Sequence, residues 1–394
     1  MTKIFSRRQF LSLACAAPLA GQSLLHAAET TTPRRLLVLV YLKAGNDAYN
    51  TFVPYTNARY AKVRPTLALK RDQVIKITDH HGFHPALQSL IPLWDARDLA
   101  LIQGIGQQDV TNQHYRDLEM QFTGASLEQY YTEGWATRAM AANRIGANSP
   151  ASVDVLAFGD LDIRESDPMG PFRGNKIRVV NMQHPSEWLT LRKVAGTKYL
   201  ASAPARPTAA AFSMPTPAAL KTTFPEDEFG QALMATVQLA AAGLAPPVVH
   251  ITLNAASGDH HHAFDTHWEQ LKYHGPALER LAKGIAAFRD GMREIGQWDN
   301  TLLATYDEFG RSPKENETGG THHGWSSVQF LAGGRVKGGL HGEPMPVVDV
   351  FAIDGPAPTI DYRSLYTTVI ENWWGGSARG VFERSFKSLD LLRA

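Results

Sequence analysis

The chain has 394 residues with 39 basic and 38 acidic side chains, so its formal charge at pH 7 is only +1. A hydrophobic share of 44% and a charged share of 20% are typical of a globular protein that is long enough to bury a large core. A near-neutral chain has no electrostatic basis for binding nucleic acid or anionic lipid, and we predict no nucleic-acid partner and no stable membrane anchor.

The N-terminus has the features of an export signal. Arg7 and Arg8 precede a mildly apolar run over residues 11–25, and small residues follow up to Ala28. This pattern resembles a twin-arginine signal, and the run is shorter than the about 20 apolar residues that a membrane helix needs. We therefore predict a signal peptide over residues 1–28, export in the folded state by the twin-arginine translocase, and a periplasmic or secreted mature protein.

The predicted signal contains the only cysteine, Cys15, and three of the basic residues, Lys3, Arg7 and Arg8. Removing these three from 39 leaves 36 basic against 38 acidic residues, so the mature chain stays near neutral. Without a cysteine it forms no disulfide and performs no thiol chemistry. That lack, together with the lack of a dinucleotide glycine fingerprint, argues against a redox function.

Apolar runs rich in β-branched residues alternate with amphipathic segments over residues 29–394. Strands alternating with helices predict an α/β domain with a mostly parallel central sheet and helices on both faces. Residues 195–222, rich in Ala, Pro, Ser and Thr, are interpreted as a loop-rich insert within this single domain. The predicted strands are 36–42, 99–105, 153–157, 177–180, 248–253, 301–306 and 327–332, and the predicted helices are 86–97, 113–122, 229–242 and 278–295.

Polar clusters follow the ends of several predicted strands. The densest is the loop over residues 258–268, which holds four of the fifteen histidines. In a doubly wound sheet the carboxyl ends of the strands line one crevice, so converging carboxylates and imidazoles suit one or two divalent metal ions and hydrolysis of a phosphate or sulfate ester. The clusters are Asp47, the turn Thr111–His114, Asp259–His267, Asp307 with Glu308, and His322 with His323.

Each of these residues also has a structural interpretation. Asp47 is equally well interpreted as a helix cap, and His114 as an exposed helical residue. The run His260–His262 is consistent with solvated side chains, with at most one ligand among the three. Arg311 either binds a substrate anion or pairs with Glu308.

Six motifs follow one another along the chain. They are Gly45-Asn46-Asp47 with Asn50-Thr51 and Pro54-Tyr55, His84-Pro85, Asn112-Gln113-His114, Phe264-Asp265-Thr266-His267, Glu308-Phe309-Gly310-Arg311-Ser312-Pro313 and Gly319-Gly320-Thr321-His322-His323-Gly324. In this order, and over nearly the whole mature chain, they resemble the exported bacterial family catalogued as domain of unknown function 1501. This family is similar to the alkaline phosphatase/sulfatase superfamily, so the resemblance implies an alkaline-phosphatase-like sheet and a metal-dependent hydrolase site.

Carried over by position, the resemblance implies metal ligands at Asp47, Asp265, His267, Glu308 with Asp307, and His323. We add His322 as a candidate ligand and take Thr111, His114 and Arg311 as the candidate catalytic residues.

The chain departs from the family pattern at two positions. Gln113 stands where the family usually has Ser, and Gln cannot act as a nucleophile, so Thr111 or a metal-activated water must serve if the protein is a catalyst. His322 stands where the family usually has Asp, which removes one negative charge and favours Zn²⁺ over Mg²⁺ or Ca²⁺.

The sequence therefore supports two hypotheses. The first is an exported metal-dependent hydrolase of a small anionic ester or a cell-envelope component. The second is a non-catalytic binding or assembly protein on the same fold, for which Gln113 and His322 are the motivation.

Overall fold

The computed structural model describes residues 34–393 apart from 148, 150, 152, 160–169, 183–184, 186–199, 202–217, 255–263 and 351–354. Residues Arg34–Ala394 cluster as one unit. The predicted signal peptide over 1–28, most of the predicted insert near 195–222, and the histidines His260–His262 lie outside the described residues.

The centre of the fold is a ten-stranded, mostly parallel sheet in the order β14-β5-β13-β10-β1-β9-β6-β7-β8, with β15 beside β5. The strand bounds are β1 (Leu36–Leu42), β2 (Phe52–Val53), β3 (Ile75–Lys76), β4 (Gly82–Phe83), β5 (Leu99–Gly106), β6 (Val155–Phe158), β7 (Val179–Met182), β8 (Leu200–Ala201), β9 (Val248–Leu253), β10 (Thr301–Tyr306), β11 (Arg311–Glu315), β12 (Thr321–His323), β13 (Ser326–Ala332), β14 (Gly339–His341) and β15 (Ile360–Asp361). β2, β3 and β4 form a small separate sheet, and β11 and β12 form a hairpin.

Helices cover both faces of this sheet. In β1, Leu36, Val38, Val40 and Leu42 pack into one apolar cluster, and Leu37, Leu39 and Tyr41 pack into another on the opposite face. The alternation follows from the two-residue period of a strand, and burial on both faces explains the continuous apolar run. The first face is covered by α6 (Glu228–Ala241) and α7 (Gln270–Glu294), and the second by α4 (His114–Thr123), α5 (Trp135–Asn143) and α8 (Tyr362–Thr368); shorter helices are α1 (Ala48–Thr51), α2 (Ala58–Val63) and α3 (Ile91–Asp95).

The predicted architecture is confirmed, and the main strands lie where the sequence placed them. Two helical segments differ from the prediction. The segment predicted at 86–97 is a 3₁₀ turn, Pro85–Leu90, followed by α3, because Pro85 and Pro92 each favour a new helical start. The helix predicted at 278–295 begins earlier, at Gln270, and runs through Pro276. None of the described helices is both long and apolar enough to cross a bilayer.

The topology brings distant loops to one edge of the sheet. β1 is parallel to β9 and β10, and β13 is antiparallel to both β10 and β5. The strands β1, β5, β9 and β10 therefore all end at the same edge. The segments that follow them carry Asp47, His114, Asp265 and Glu308, respectively.

Candidate metal centre

Four side chains converge at this edge: His114, Asp265, His267 and His323. One ligand atom from each lies within 4.8 Å of all the others, and this is the metal-capable group found among the described residues. The Nε2 atoms of His267 and His323 are 2.8 Å apart. Asp265 Oδ1 lies 3.2 Å from His267 Nε2, 3.6 Å from His114 Nε2 and 3.9 Å from His323 Nε2.

Three separate parts of the chain supply these ligands. His114 is the first residue of α4, Asp265 and His267 lie between β9 and α7, and His323 ends β12. The β11–β12 hairpin approaches closely because of Gly320. A Cβ on this glycine would clash with the backbone of His267, so no larger residue fits there without moving the backbone.

The spacing between Asp265 Oδ1 and the three imidazoles suits one small cation. Zn²⁺ binds His nitrogen and carboxylate oxygen at ~2.0–2.1 Å in a tetrahedron, which sets neighbouring ligand atoms ~3.3–3.4 Å apart. The separations from Asp265 Oδ1 to the three imidazoles, 3.2 to 3.9 Å, fall around this value. Three imidazoles and one carboxylate are also the donor set that Zn²⁺ prefers over Mg²⁺ or Ca²⁺.

Two of the imidazoles are oriented by hydrogen bonds on their other ring nitrogen. His114 Nδ1 lies 2.9 Å from Glu308 Oε1, and His323 Nδ1 lies 2.8 Å from the backbone oxygen of Asn112. Both partners are acceptors, so each Nδ1 carries the proton and each Nε2 presents its lone pair to the cluster. This is the outer arrangement typical of metal-bound histidine.

The charges of the group also suit a metal ion. Burial opposes ionisation of Asp265, but the hydrogen bond with His267 and the charge of Arg311 outweigh burial and hold the pKa of this carboxyl well below its usual range. Burial, with the nearby charges of Arg311 and His114, lowers the pKa of His323 to about 3. At neutral pH the carboxylate is therefore anionic and the His323 imidazole is neutral, as ligands must be.

An apolar wall supports the cluster on one side. The buried ring of Phe309 stacks on His323 at 4.3 Å between centroids and lies 5.0 Å from the ring of His114. The ligand side chains themselves remain 14% to 27% exposed. The group is thus reachable from solvent on one side and lies against a buried aromatic ring on another.

Arg311 lies beneath the cluster. Its guanidinium is fully buried and pairs with Asp265 Oδ1 at 2.5 Å. Its other donors go to the backbone oxygens of Ala44, Gly45 and Thr321. Arg311, which the sequence predicted to bind a substrate anion or to pair with Glu308, therefore positions the Asp265 carboxylate and links it to the backbone that follows β1.

Asp47 and Glu308 lie near the cluster without joining it. Asp47 is completely buried, and both of its oxygens accept from Arg64, at 2.5 and 3.0 Å, with further donors from Gln270 and the backbone of Tyr49. Burial opposes ionisation of Asp47, and Arg64 outweighs burial, so the pKa of this carboxyl is lowered. Asp47 also caps α1, which is the alternative that the sequence left open.

Two other residues predicted as ligands are placed outside the group. Asp307 is buried, accepts from Gln329 Nε2 and Ser327 Oγ at 2.6 Å each, and has its pKa raised well above the usual range by burial. Both oxygens of Asp307 are thus occupied by protein donors. The ring of His322 lies 6.1 Å from that of His267.

Thr111 begins the turn that leads to His114. Its hydroxyl lies 2.9 Å from Asp117 Oδ1, and its backbone N–H donates to the same oxygen. Burial raises the pKa of Asp117 to about 6, against the opposing hydrogen bonds from Thr111. The next residue, Asn112, has a left-handed φ of 58°, and its carbonyl is the acceptor for His323.

Sequence reasoning gave no role of their own in the site to Asn112 and Phe309, which it named as parts of motifs, and it did not single out Arg64. Asn112 acts through its backbone oxygen, which no side-chain pattern reveals. The position of Phe309 in a motif did not indicate that its ring packs against His323 and His114. Arg64 directly follows a short helix, α2, and its contact with Asp47 depends on the tertiary fold.

Residues 175–375 match the sequence profile of the family described as "Protein of unknown function (DUF1501)". The chain belongs to this family. The match covers half of the chain, including β9 and three of the four cluster residues, Asp265, His267 and His323. The family membership predicted from the motifs is thereby confirmed.

Solved structures similar to this DUF1501 chain include the following three. They are the lipoteichoic acid synthase LtaP from Listeria monocytogenes (10% identity, 89% of this chain and 74% of that one, TM-score 0.43), the phosphonate monoester hydrolase SpPMH from Silicibacter pomeroyi (15%, 91% and 76%, 0.42) and an alkaline phosphatase superfamily protein from Vibrio parahaemolyticus (10%, 78% and 62%, 0.33). Similarity at this level does not carry over what any of them binds. No curated protein matches the chain.

Proposed function

We propose that the protein is a metal-dependent hydrolase of phosphate or sulfate esters, with one Zn²⁺ held by His114, Asp265, His267 and His323. The observation that supports this proposal is the convergence of four ligand atoms within 4.8 Å from three distant parts of the chain. Three imidazoles and one anionic carboxylate turned towards a common point are a donor set that a single Zn²⁺ satisfies.

One ion is proposed, because Asp47, the carboxylate that a second ion would need, has both oxygens bonded to the permanently charged guanidinium of Arg64. Asp265 also pairs with an arginine, Arg311, but through Oδ1, and three imidazoles lie within 4 Å of the same carboxylate. The remaining Arg64 donors bond to Asn50 Oδ1 and to the backbone oxygens of Ser312 and Pro313. All five N–H groups are therefore used.

The bound ion would supply Lewis acidity, polarising the ester oxygen and lowering the pKa of a coordinated water. The chain would supply the rest. Glu308 and the Asn112 carbonyl hold the imidazoles in their binding tautomers, Arg311 holds Asp265 in place, and Phe309 packs its ring against two of the imidazoles. Thr111 is the candidate nucleophile, and Asp117, bonded to its hydroxyl, is the candidate acceptor of its proton.

We also propose that the protein is exported. The paired arginines, Arg7 and Arg8, motivate folding in the cytoplasm, transfer by the twin-arginine translocase and a periplasmic or secreted location. Replacing both with Lys is expected to leave the protein in the cytoplasm, measured by cell fractionation. Normal export of that variant would remove this part of the proposal.

Metal analysis of the full chain, matured in its own cell compartment, tests the central claim. We expect about one zinc per chain, loss of it in His267→Ala and His323→Ala, and retention in the control His322→Ala. Turnover of aryl phosphates or sulfates is measured on the same samples. A wild-type protein that binds no divalent metal and hydrolyses neither ester class refutes the proposal.

A second candidate function is a non-catalytic, zinc-containing binding protein. It is favoured by the number of protein ligands, since four are typical of closed structural sites and three of catalytic ones. Gln113, whose side chain makes no capping hydrogen bond to α4, also fits a site without a serine nucleophile. Zinc binding without turnover, together with turnover gained in Gln113→Ser/His322→Asp, would establish this second function.

A further inference from the structure

A fully buried glutamine lies between two chain segments that carry three of the four cluster residues. Gln270 is the first residue of α7 and is only 1% exposed. The segment before it carries Asp265 and His267, and the strand β12 ends in His323. Gln270 itself belongs neither to the cluster nor to the six motifs.

Three buried polar groups meet at the amide of Gln270. The hydroxyls of Thr266 and Thr321 each lie 2.9 Å from Oε1, and Nε2 donates to Asp47 Oδ2. Thr266, Thr321 and Asp47 are each at most 2% exposed. Both hydroxyls therefore use Oε1 as their acceptor at a position that bulk water does not reach.

Asp47 fixes the orientation of this amide. Burial opposes ionisation of Asp47, but Arg64 outweighs burial and lowers the pKa of the carboxyl, so at neutral pH it is an anion that only accepts. Nε2, the donor end of the amide, must then face Asp47, and Oε1 must face the two threonine hydroxyls. A glutamine satisfies all three partners because one end of its amide donates while the other accepts.

The two hydroxyls belong to the segments that present the cluster. Thr266 lies between Asp265 and His267, and Thr321 lies two residues before His323. The backbone N–H of Thr321 also donates to the Thr266 carbonyl at 2.9 Å. The shared glutamine acceptor thus adds a side-chain link to a backbone bond that already joins the two segments.

The relative position of these segments matters because metal geometry tolerates little movement. Ligand atoms of an occupied site lie within about 0.2 Å of the ideal metal–ligand distance. His267 Nε2 and His323 Nε2, which come from the two joined segments, lie 2.8 Å apart. A shift of one segment against the other would change this separation directly.

We propose that Gln270 is a positioning residue of the metal centre. Its amide holds the 264–267 segment and β12 in the relative position that one zinc ion requires, and it anchors both to the buried pair of Asp47 and Arg64. Asp47, which lies outside the cluster, contributes by orienting this amide. This inference rests on the proposed function.

The zinc affinity of Gln270→Met, measured on the full chain by competition with a chelating dye, tests the inference. Methionine is similar in length to glutamine but offers no comparable hydrogen bond. We expect about tenfold weaker zinc binding, at the lower end of the effect of lost outer partners, because Gln270 acts through neighbouring residues. Urea unfolding of the metal-free protein shows whether the variant is folded.

Gln121→Met is the matched control. Gln121 is also buried, at 3% exposure, and it accepts from the Tyr366 hydroxyl instead of from the two threonines. Its replacement should lower the urea midpoint while leaving zinc affinity close to that of the wild type. A loss of affinity that merely follows folding stability would appear in both methionine variants.

Removal of the two hydroxyls separates positioning from general destabilisation. Thr266→Val/Thr321→Val deletes both donors and keeps the size of the side chains. Because Gln270 acts through these hydroxyls, adding Gln270→Met to that background should cost little further zinc affinity, whereas independent effects would add. Each single valine variant should weaken zinc binding by less than Gln270→Met.

The outcomes distinguish this inference from the proposed function. Wild-type zinc affinity in both Gln270→Met and the double valine variant overturns the inference alone, and so do additive losses. Where Gln270→Met does not fold, the valine variants decide, and unchanged affinity in them overturns the inference. Zinc binding without ester hydrolysis refutes the hydrolase and leaves the positioning role intact, and a wild-type chain that binds no zinc overturns both.

Discussion

The role of Glu308 can be tested by exchanging its carboxylate for an amide. In the structure Oε1 accepts from His114 Nδ1 at 2.9 Å, while Oε2 accepts from the Tyr41 hydroxyl at 3.0 Å and the Ala44 backbone N–H at 3.1 Å. The Glu308→Gln side chain has only one oxygen, which can accept either from the two donors Tyr41 and Ala44 or from the single donor His114. It is expected to face Tyr41 and Ala44, which places the amide N–H₂ against His114.

That arrangement reverses the tautomer of His114. With an N–H donor facing it, Nδ1 must accept, and the ring proton moves to Nε2, where it points into the cluster. Loss of such outer partners typically lowers metal affinity about 10–100-fold, which corresponds to about 1.4–2.7 kcal/mol. We expect a loss of this size for Glu308→Gln, towards its upper end because the ligand lone pair is removed from the site.

The assay is competition for zinc between the metal-free protein and a chelating dye at pH 7.5. Tyr41→Phe is the matched control, because it removes a donor from Oε2 and leaves the bond from Oε1 to His114. Its zinc affinity should stay close to that of the wild type. Unchanged affinity in Glu308→Gln would refute the orienting role, and complete loss of bound zinc would instead indicate that Glu308 is a direct ligand, as the sequence suggested.

Three further outcomes are expected. Arg64→Leu leaves the Asp47 carboxylate buried without its cation and should lower the free energy of unfolding in urea by roughly 3–5 kcal/mol, whereas a loss below about 1 kcal/mol would show that the pair is not structurally important. Burial lowers the pKa of His250 to about 3, so the folded protein keeps this imidazole neutral while the unfolded chain gains a proton below about pH 6.5. The free energy of unfolding is therefore unaffected by ionisation of His250 above that pH and falls by up to about 1.4 kcal/mol per pH unit as the pH is lowered. In urea titrations at pH 4 to 7, the free energy of unfolding of His250→Gln should decline less steeply than that of the wild type. For aryl ester hydrolysis, Thr111→Ala should lower kcat by roughly 10²–10⁴-fold while Thr111→Ser stays active, and equal kcat in the alanine variant would point to an attacking water.

The sequence by itself determined the architecture. A strand buried on both faces must be apolar at every position, so the runs at 36–42, 248–253 and 301–306 could be recognised and bounded without a structure. The family motifs were also readable, because they are local. Both kinds of information depend on residues that are neighbours in the chain.

The membership of the candidate metal centre was decided by the tertiary structure. Asp47 and Asp265 looked alike as acids after strands, and each pairs with a buried arginine. Arg64, however, bonds to both oxygens of Asp47, whereas three imidazoles approach Asp265 beside Arg311. Whether a carboxylate binds a metal depends on which donors and charges fold against it, and those come from residues far away in sequence. The physical reason is that ligands of one metal ion must lie within a few ångströms of one another. The sequence pattern predicts only that the candidate residues reach the same edge of the sheet.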